Sequence, residues 1–522
     1  MTTGILSSSG RTYEFSQVRG DNVIAVIATR RIRWAAVLGV ITLLIAGYAG
    51  WQAFSRSEAG CGSGPCDGDD PGLAAGTRAV NPQVRVWSRS ITLIMAEGGA
   101  SASIAQAQAG DSVWLDRGTT DQRLRGENLG ITTLSATETA ATTKFYRYDG
   151  GLLRACGKAG DRPEVRCTRW MAAADPQPDR RMRAVERLLD RYDHDTGLWE
   201  NDVSTWQSAN ALTTLIDYLR DSGDRQYLSY IEETYRHGEV ARTGLPRTTG
   251  YNDDELWWAL AWIKAFDLTG EARYLTAART IVDGLADQKA AFCGGGLAWA
   301  RVGVDPQLRP WTQVNAITNA LYISATALLG TRVDASDQPS YRARATATWD
   351  WFSTGAGRAL LDSSGAVNDH LDQYGDTCVL VDANTRWTYG QGEMIAGLVA
   401  LYRITGNSEL LTSADRIAAA ATRDGSPFLQ DGVLNEPSAT TCPGPSCHDA
   451  ETYKGVFVRG YRELRETGRS HAATTDFLMR QANSLRDNDD EYGFRWQGPP
   501  GADDHPNFAT QAAALDALNA GS

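Results

Sequence analysis

The sequence predicts an all-α fold class, an array of helical hairpins preceded by a smaller β-rich module. Three observations support this prediction. From about residue 180 onward, long amphipathic stretches rich in Ala and Leu alternate with short polar breaks, which is the pattern of packed helices. One break recurs as a Ser-Gly or Thr-Gly pair at Gly223, Gly270 and Gly406, each followed by the start of a new amphipathic stretch. Before residue 170 the stretches are short and β-prone.

The recurring break predicts how the helices are joined. Gly suits a helix C-terminus because it adopts the left-handed conformation without a Cβ clash, and a related pair, Thr467-Gly468, follows Leu464. A repeated helix–Gly–helix unit indicates an array. A closed ring of hairpins, an α/α toroid, fits the chain length, and an open solenoid is the alternative.

The N-terminal residues predict an export or anchoring segment. An uncharged apolar run at residues 34–51 follows three arginines, is long enough to cross a bilayer as a helix, and should leave residues 1–33 in the cytoplasm. We favour a single-pass signal anchor on the extracellular face of the plasma membrane. A cleaved signal giving a secreted protein is the alternative, a half-match to a twin-arginine signal is also present, and a buried core helix is disfavoured by the flanking charges.

Two further segments precede the helical part. Residues 52–81 are rich in Gly, Ser, Pro and Asp and predict a flexible linker. Residues 82–170 contain short β-prone stretches separated by glycines, such as residues 90–94 and 112–115. They predict a small β-rich module, to which no role is assigned.

Charge and composition limit the classes of partner. The formal net charge is −12, which argues against nucleic acid and against binding an anionic polymer through bulk charge. The negative charge does not oppose the binding of a neutral polymer. Sixteen Trp residues suit sugar-stacking clefts, although most of them are expected to fill the core. We expect a monomer.

The cysteines predict an oxidising compartment. Their number is even, as in exported proteins with disulfides. A zinc site lacks its CxxC spacing, and the six His form no HxxxH or HExxH pattern, so no metal and no cofactor are expected. Pairing by proximity in the sequence gives Cys61 with Cys66, Cys156 with Cys167, Cys442 with Cys447, and Cys293 with Cys378 as the remaining pair.

The most informative segment is Tyr251–Trp262, which contains the adjacent acids Asp253 and Asp254. One interpretation is structural: acids in a first helical turn complement the helix dipole. The other is catalytic, because cleavage of a glycosidic bond needs two carboxyl groups, held about 5–5.5 Å apart in retaining enzymes. Adjacent carboxylates also repel, which raises one pKa as a general acid requires.

The stretch from Tyr251 to Leu275, which contains this segment, resembles the signature of glycoside hydrolase family 76, the endo-α-1,6-mannanases. Four further blocks of this chain resemble the family in the same order. They are Trp199 with residues 206–210 (WQSAN), residues 293–296 (CGGG) with 315–319 (NAITN), residues 387–392 (WTYGQG), and residues 453–459 (YKGVFVR).

The resemblance covers residues 177–520 and implies an (α/α)6 barrel that cleaves α-1,6-mannan with retention of configuration. By matching position, Asp253 would be the nucleophile and Asp254 the general acid/base. The sequence departs from the family at Gly390, where many members carry Asn, and at Val314, where many carry Lys. The residues expected to bind the polysaccharide are Trp206, Asn210, Tyr251, Asn315, Tyr389 and Gln391.

Other functions remain open at this stage. A cell-wall mannan transglycosylase would share the covalent intermediate and differ only in the acceptor. A non-catalytic protein that binds wall polysaccharide is disfavoured by the presence of both acids. A different α/α-barrel enzyme, such as an epimerase or an unsaturated-glycoside hydrolase, would be expected to use His or differently placed acids.

Overall fold

The structure is a computed structural model that describes most of the chain after residue 64. The predicted membrane or signal segment at residues 34–51 lies outside the described residues, as do Cys61, Cys442 and Cys447. The described ranges are 65–79, 84–118, 128–148, 151–160, 162, 165–168, 170–171, 180–199, 205–286, 293–307, 309–375, 377–381, 383–438, 448–469, 471–485, 490–497 and 504–522.

The first part of the described chain is β-rich, as the sequence predicts. Its strands pair in antiparallel fashion: one sheet has the order β1-β3-β4-β7, and another contains β9-β5-β6. The strands are β1 (Arg78–Ala79), β2 (Val84–Val86), β3 (Arg89–Ala96), β4 (Gly99–Ala105), β5 (Ser112–Gly118), β6 (Leu129–Thr133), β7 (Ala140–Thr142), β8 (Tyr146–Arg147), β9 (Leu152–Lys158) and β10 (Val165–Cys167).

The second part is helical, with short strands only in its loops. In the described residues its helices are α1 (Arg180–Leu189), α2 (Trp206–Ser222), α3 (Leu228–Arg236), α4 (Val240–Thr243), α5 (Asn252–Thr269), α6 (Ala272–Gly284), α7 (Ala316–Leu329), α8 (Gln338–Ser353), α9 (Thr388–Thr405), α10 (Ser408–Thr422), α11 (Ala450–Glu466), α12 (His471–Ser484) and α13 (Phe508–Ala520). Its strands are β11 (Tyr192–Asp193), β12 (Leu198–Trp199), β13 (Gln313–Asn315), β14 (His370–Tyr374), β15 (Thr377–Leu380), β16 (Leu429–Gln430) and β17 (Val433–Leu434).

Six of these helices close into a ring. In order around the ring, α2 packs on α5, α5 on α7, α7 on α9, α9 on α11, α11 on α13, and α13 returns to α2. The outer helices α1, α6, α8, α10 and α12 pack against this ring. The inner helices carry the buried faces, such as residues 206–219 of α2. The closed α/α barrel is therefore confirmed over the open solenoid.

The inner helices run in parallel, with their N-termini at one end of the barrel. Near the starts of α2 and α11, the ring centroids of Trp206 and Tyr453 lie 6.1 Å apart. Near the opposite ends of α2 and α5, the Lys264 ammonium is 2.6 Å from the Asp217 carboxylate. Hence the first residues of the inner helices, including Asp253, gather at the same end.

The predicted glycine breaks end helices α2, α5 and α9. Gly223 and Gly270 have φ of 70° and 73°, and each donates its N–H to the carbonyl four residues earlier. Gly406 does the same at φ 71°. This left-handed conformation favours Gly, so the breaks mark the hairpin turns as predicted.

Helices α9 and α11 approach most closely at two glycines. A Cβ atom on Gly392 would lie 2.8 Å from the backbone nitrogen of Phe457 and 2.8 Å from the Val456 carbonyl oxygen. A Cβ on Gly460 would lie 2.6 Å from the Gly392 carbonyl carbon. Gly390, two residues before Gly392, has no such neighbour within 4 Å.

The disulfide between Cys293 and Cys378, one of the four predicted pairs, joins residues 85 positions apart. Cys66, Cys156 and Cys167 are also disulfide-bonded, and the described residues contain no free cysteine. None of the described helices is both long and apolar enough to cross a membrane.

Candidate active site

The loop before helix α5 is anchored to the segment at residues 298–301. Asn252 donates its backbone N–H to the Trp299 carbonyl at 2.8 Å and its side-chain amide to the Ala298 carbonyl at 2.9 Å. Tyr251 is extended and forms an antiparallel bridge with Ala300. These hydrogen bonds fix the residue at which the helix begins. They therefore also fix the positions of the acidic residues in its first turn.

Asp253 is a buried carboxyl, 9% exposed. Its Oδ1 accepts the backbone N–H of Asp254 at 3.0 Å, and the side chain of Asn315 also hydrogen-bonds to it. Burial, the largest cause, and the negative charge of Asp449 together raise the pKa of Asp253 to about 7, against the lowering effect of these hydrogen bonds. Removal from water penalises the ionised form, which explains the direction of the pKa shift.

Asp254 has its pKa raised even more strongly. Burial is the largest cause, and the charges of Asp253 and Asp449 add to it, while a hydrogen bond with the side chain of Thr249 opposes it. The two adjacent carboxyl groups share one environment, so they titrate as a pair in which one proton is held tightly. A pair with one ionised and one protonated member is what acid/base cleavage of a glycosidic bond needs.

Asn315 caps helix α7 and is 7% exposed. Its Oδ1 is buried without a hydrogen-bond partner among the described residues. An amide oxygen in that state favours a donor from a bound molecule, such as a sugar hydroxyl. Asn315 thus lies against Asp253, and its predicted contact with the polysaccharide stays a prediction.

Aromatic rings form a wall beside the carboxyl pair. Tyr389 stacks on Tyr453 with ring centroids 3.8 Å apart and planes 17° apart, and Trp206 lies 5.9 Å from Trp257. The charge of Asp253 is among the causes that raise the pKa of Tyr389, after burial and the neighbouring Tyr453. The ionised Asp253 carboxylate therefore affects the titration of the Tyr389 hydroxyl.

Tyr251, two residues before Asp253, is another aromatic residue near the pair. Its ring lies 5.1 Å from that of Trp299, and its pKa is raised by burial and by the charges of Asp305, Asp254 and Asp253. Tyr251 thus adds a further aromatic ring near the carboxyl pair. Rings in this position exclude water and offer flat faces to a sugar.

Asn210 and Gln391 differ from the prediction that they line the cleft. The Asn210 amide donates to the Trp206 carbonyl at 3.1 Å, and its oxygen accepts from Arg459. The Gln391 oxygen accepts the Val367 N–H at 2.8 Å, and its amide donates to the Val367 carbonyl at 2.7 Å. Both side chains are buried, and their hydrogen bonds are made within the protein.

Two further carboxylates lie at the cleft and were missed by the sequence analysis. Asp449 accepts a hydrogen bond from the Trp206 indole at 3.2 Å, and its charge raises the pKa values of both Asp253 and Asp254. Asp369 lines a depression beside Trp387, Tyr389 and Gly390. In the sequence, nothing distinguishes these two Asp residues from ordinary helix-cap or loop acids.

The fold and the carboxyl pair together define this class of protein: it is an α/α-barrel glycoside hydrolase. The model of Glycosyl hydrolase family 76 matches residues 179–521, which is more than half of the chain. The chain belongs to this family.

Curated relatives are mannan endo-1,6-alpha-mannosidases of yeasts. The chain is 25% identical to DCW1 of Saccharomyces cerevisiae over 289 residues, which are 52% of this chain and 59% of that protein. It is 24% identical to DFG5 of the same organism over 286 residues, 52% of this chain and 58% of that protein. The matched region thus spans less than two thirds of each relative.

Solved structures share the fold. An inactive variant of the α-1,6-mannanase GH76A of Salegentibacter sp. HEL1_6, in complex with α-1,6-mannotetrose, superposes with a TM-score of 0.56 at 21% identity. The match covers 66% of this chain and 98% of that one. Dfg5 from Chaetomium thermophilum, in complex with glucosamine, also has a TM-score of 0.56, at 19% identity over 65% of this chain and 88% of that one.

Proposed function

We propose that this chain is a retaining endo-α-1,6-mannanase in which Asp253 is the nucleophile and Asp254 the general acid/base. The observation that carries the proposal is the pair of adjacent carboxyl groups with raised pKa values at the start of α5. Membership of Glycosyl hydrolase family 76 supports the substrate class. The inactivating change in the Salegentibacter enzyme, which replaces two consecutive aspartates, supports the role of an Asp pair.

The contacts of the two acids support this division of labour. Asp253 accepts hydrogen bonds from the Asp254 backbone and from Asn315, and such bonds favour an ionised carboxylate, as a nucleophile requires. Asp254 experiences the charges of Asp253 and Asp449, and these favour its protonated form, as a general acid requires.

In the proposed reaction, Asp254 protonates the glycosidic oxygen while Asp253 attacks the anomeric carbon, and the leaving sugar departs with the proton. Asp254, now ionised, then takes a proton from water, which releases the mannosyl group from Asp253. The atoms balance: one glycosidic bond is exchanged for one bond to water, and both carboxyl groups return to their first states.

Export is part of the proposal. The disulfide between Cys293 and Cys378 suits an oxidising compartment, so we place the enzyme outside the cytoplasm. The signal anchor at residues 34–51, with a cleaved signal as its alternative, stays a prediction. The monomeric state stays a prediction as well.

The test is incubation of the protein with linear α-1,6-mannan, with and without chelator, followed by chromatography of the products. We expect a ladder of oligosaccharides in both conditions. When a short α-1,6-mannooligosaccharide is added as an acceptor, products longer than that acceptor would instead indicate the transglycosylase alternative. Binding without any product would indicate the non-catalytic alternative, and cleavage of another polymer alone would refute the substrate assignment.

A further inference from the structure

A three-stranded antiparallel sheet continues directly from the carboxyl pair. Strand β13 ends at Asn315, whose side chain hydrogen-bonds to Asp253. Strand β14 lies between β13 and β15, and its register places His370 opposite Asn315. Directly paired residues in antiparallel strands point to the same face. The face that carries Asn315 therefore extends along β14.

The register sorts the side chains of this sheet into two faces. Leu371 is buried and lies opposite Leu380, and Gln373 lies opposite Cys378, the partner of Cys293 in the disulfide. These residues form the inward face. Because side chains alternate along a strand, His370, Asp372 and Tyr374 belong to the other face, and Val379 joins them as the partner of Asp372.

The outward face changes character with distance from the carboxyl pair. Nearest to the pair it carries polar groups: His370 Nε2 lies 3.7 Å from Asp372 Oδ1. Farther out it carries Val379 and Tyr374, which are 42% and 61% exposed. Four residues of antiparallel strand span about 14 Å, so Tyr374 lies several sugar lengths from the start of the face at His370.

This exposed face is held in place. The disulfide of Cys378 ties β15 to the segment that starts at Cys293. At the turn, the Gln373 amide donates to the Gly375 carbonyl at 2.7 Å. A surface that is already rigid loses little conformational entropy when a flexible polymer binds to it.

We propose that the outward face of β13, β14 and β15 is an extended subsite that binds the substrate chain beyond the sugars at the carboxyl pair. This inference rests on the proposed function and deepens it. A pyranose ring has an apolar C–H face and a polar hydroxyl rim, so an exposed tyrosine beside aliphatic and carboxylate groups fits it. The Asp372 carboxylate on this face makes the surface suited to a neutral chain and repels an anionic one. The enzyme therefore prefers long, neutral mannans to short oligosaccharides.

The first experiment compares kcat/KM of Tyr374→Ala on linear α-1,6-mannan and on the shortest oligosaccharide that the wild-type enzyme cleaves. We expect a loss of about tenfold on the polymer, equivalent to about 1.4 kcal/mol, and little change on the short substrate. Tyr374→Phe, which keeps the ring, should retain polymer activity. Equal losses on both substrates, or none on the polymer, would overturn the proposal.

A matched pair controls for the removal of exposed aliphatic surface. Val379→Ser changes an exposed aliphatic residue on the proposed face. Its control, Ile131→Ser, changes an aliphatic residue on β6 that is 58% exposed. We expect weaker polymer cleavage for the first only. Since all these side chains are exposed, the variants should fold normally, which an unchanged melting temperature would verify.

The second experiment measures binding without turnover. In an Asp253→Asn, Asp254→Asn background, Tyr374→Ala should migrate faster than the Tyr374 protein in affinity electrophoresis through gels containing α-mannan. If the wild-type protein cleaves no α-mannan, the proposed function fails. In that case the same two proteins are run through gels that contain other neutral polysaccharides. If Tyr374→Ala migrates like the Tyr374 protein in all of these gels, the extended subsite is refuted separately from the proposed function.

Discussion

The close approach of α9 and α11 gives a prediction whose magnitude follows from the structure. In Gly392→Ala the new Cβ would lie closest to the Phe457 Cα and 2.8 Å from two further backbone atoms of α11, whereas an ordinary contact needs about 3.5 Å. The helices must therefore separate by roughly 0.7 Å or more, because backbone atoms have no rotamer through which to yield. Overpacking of this kind costs about 1–3 kcal/mol.

The matched control is Gly390→Ala, two residues earlier on the same helix. A Cβ there meets nothing within 4 Å, and replacing Gly by Ala inside a helix stabilises by about 0.5–1 kcal/mol. The two variants should therefore differ by about 1.5–4 kcal/mol in the free energy of unfolding. We expect a melting temperature clearly lower for Gly392→Ala than for wild type, and equal or higher for Gly390→Ala.

The same substitution reports on the site. Tyr389 lies one turn before Gly392 and stacks on Tyr453 of α11 at 3.8 Å, so separating the helices opens this stack. We expect kcat/KM on α-1,6-mannan to fall for Gly392→Ala even at temperatures where it is fully folded. Equal melting temperatures for the two alanine variants, measured by calorimetry, would show that the contact yields easily and would refute the reasoning.

Two further predictions concern the carboxyl pair, and a third concerns the ion pair between Arg301 and Glu255. Asp254→Asn should retain its first step on an activated mannoside with a good leaving group, and added azide should give a mannosyl azide of retained configuration, detected by NMR; an inverted product would reverse the assignment. Because folding raises the pKa of Asp253 from 3.8 to about 7, its favourable effect on stability is present below about pH 4 and is lost as pH rises towards 7. The melting temperature of Asp253→Asn should therefore match wild type at pH 4 and exceed it at pH 8, and a constant difference would contradict this. Arg301→Ala should cost about 3 kcal/mol in chemical denaturation, because the Glu255 side chain it pairs with is 2% exposed; adding Glu255→Gln should recover part of that loss, and no recovery would mean that the pair is not the cause.

Local sequence rules predicted the parts of the fold that depend on local geometry. Gly223 and Gly270 end helices because a left-handed residue is needed there, and that need is visible in a few neighbouring residues. Likewise, Asp253 and Asp254 occupy a first helical turn under both the structural and the catalytic interpretation. The pattern alone left those two interpretations open.

Roles that depend on distant neighbours were not predictable in this way. Asn210 and Asn315 are the same residue type near the starts of inner helices, yet Asn210 is bonded to Arg459, 249 positions away, while the Asn315 oxygen has no partner among the described residues. Gly390 and Gly392 look equivalent in the sequence, but only Gly392 faces the backbone of α11. Such differences arise from the packing of the ring.

The parallel arrangement of the inner helices has an electrostatic consequence for the cleft. Each helix presents the equivalent of about half a positive charge at its N-terminus, and the inner helices gather these ends around the carboxyl groups. The backbone thereby supplies a fixed positive field that no substitution of a side chain removes. In a chain with net charge −12, this field offers a reason why Asp253, Asp254, Asp369 and Asp449 collect at one end of the barrel. The helix N-termini thereby offset part of the cost of burying these carboxyl groups, in addition to the contact of Asp369 with His370 Nδ1 at 2.8 Å.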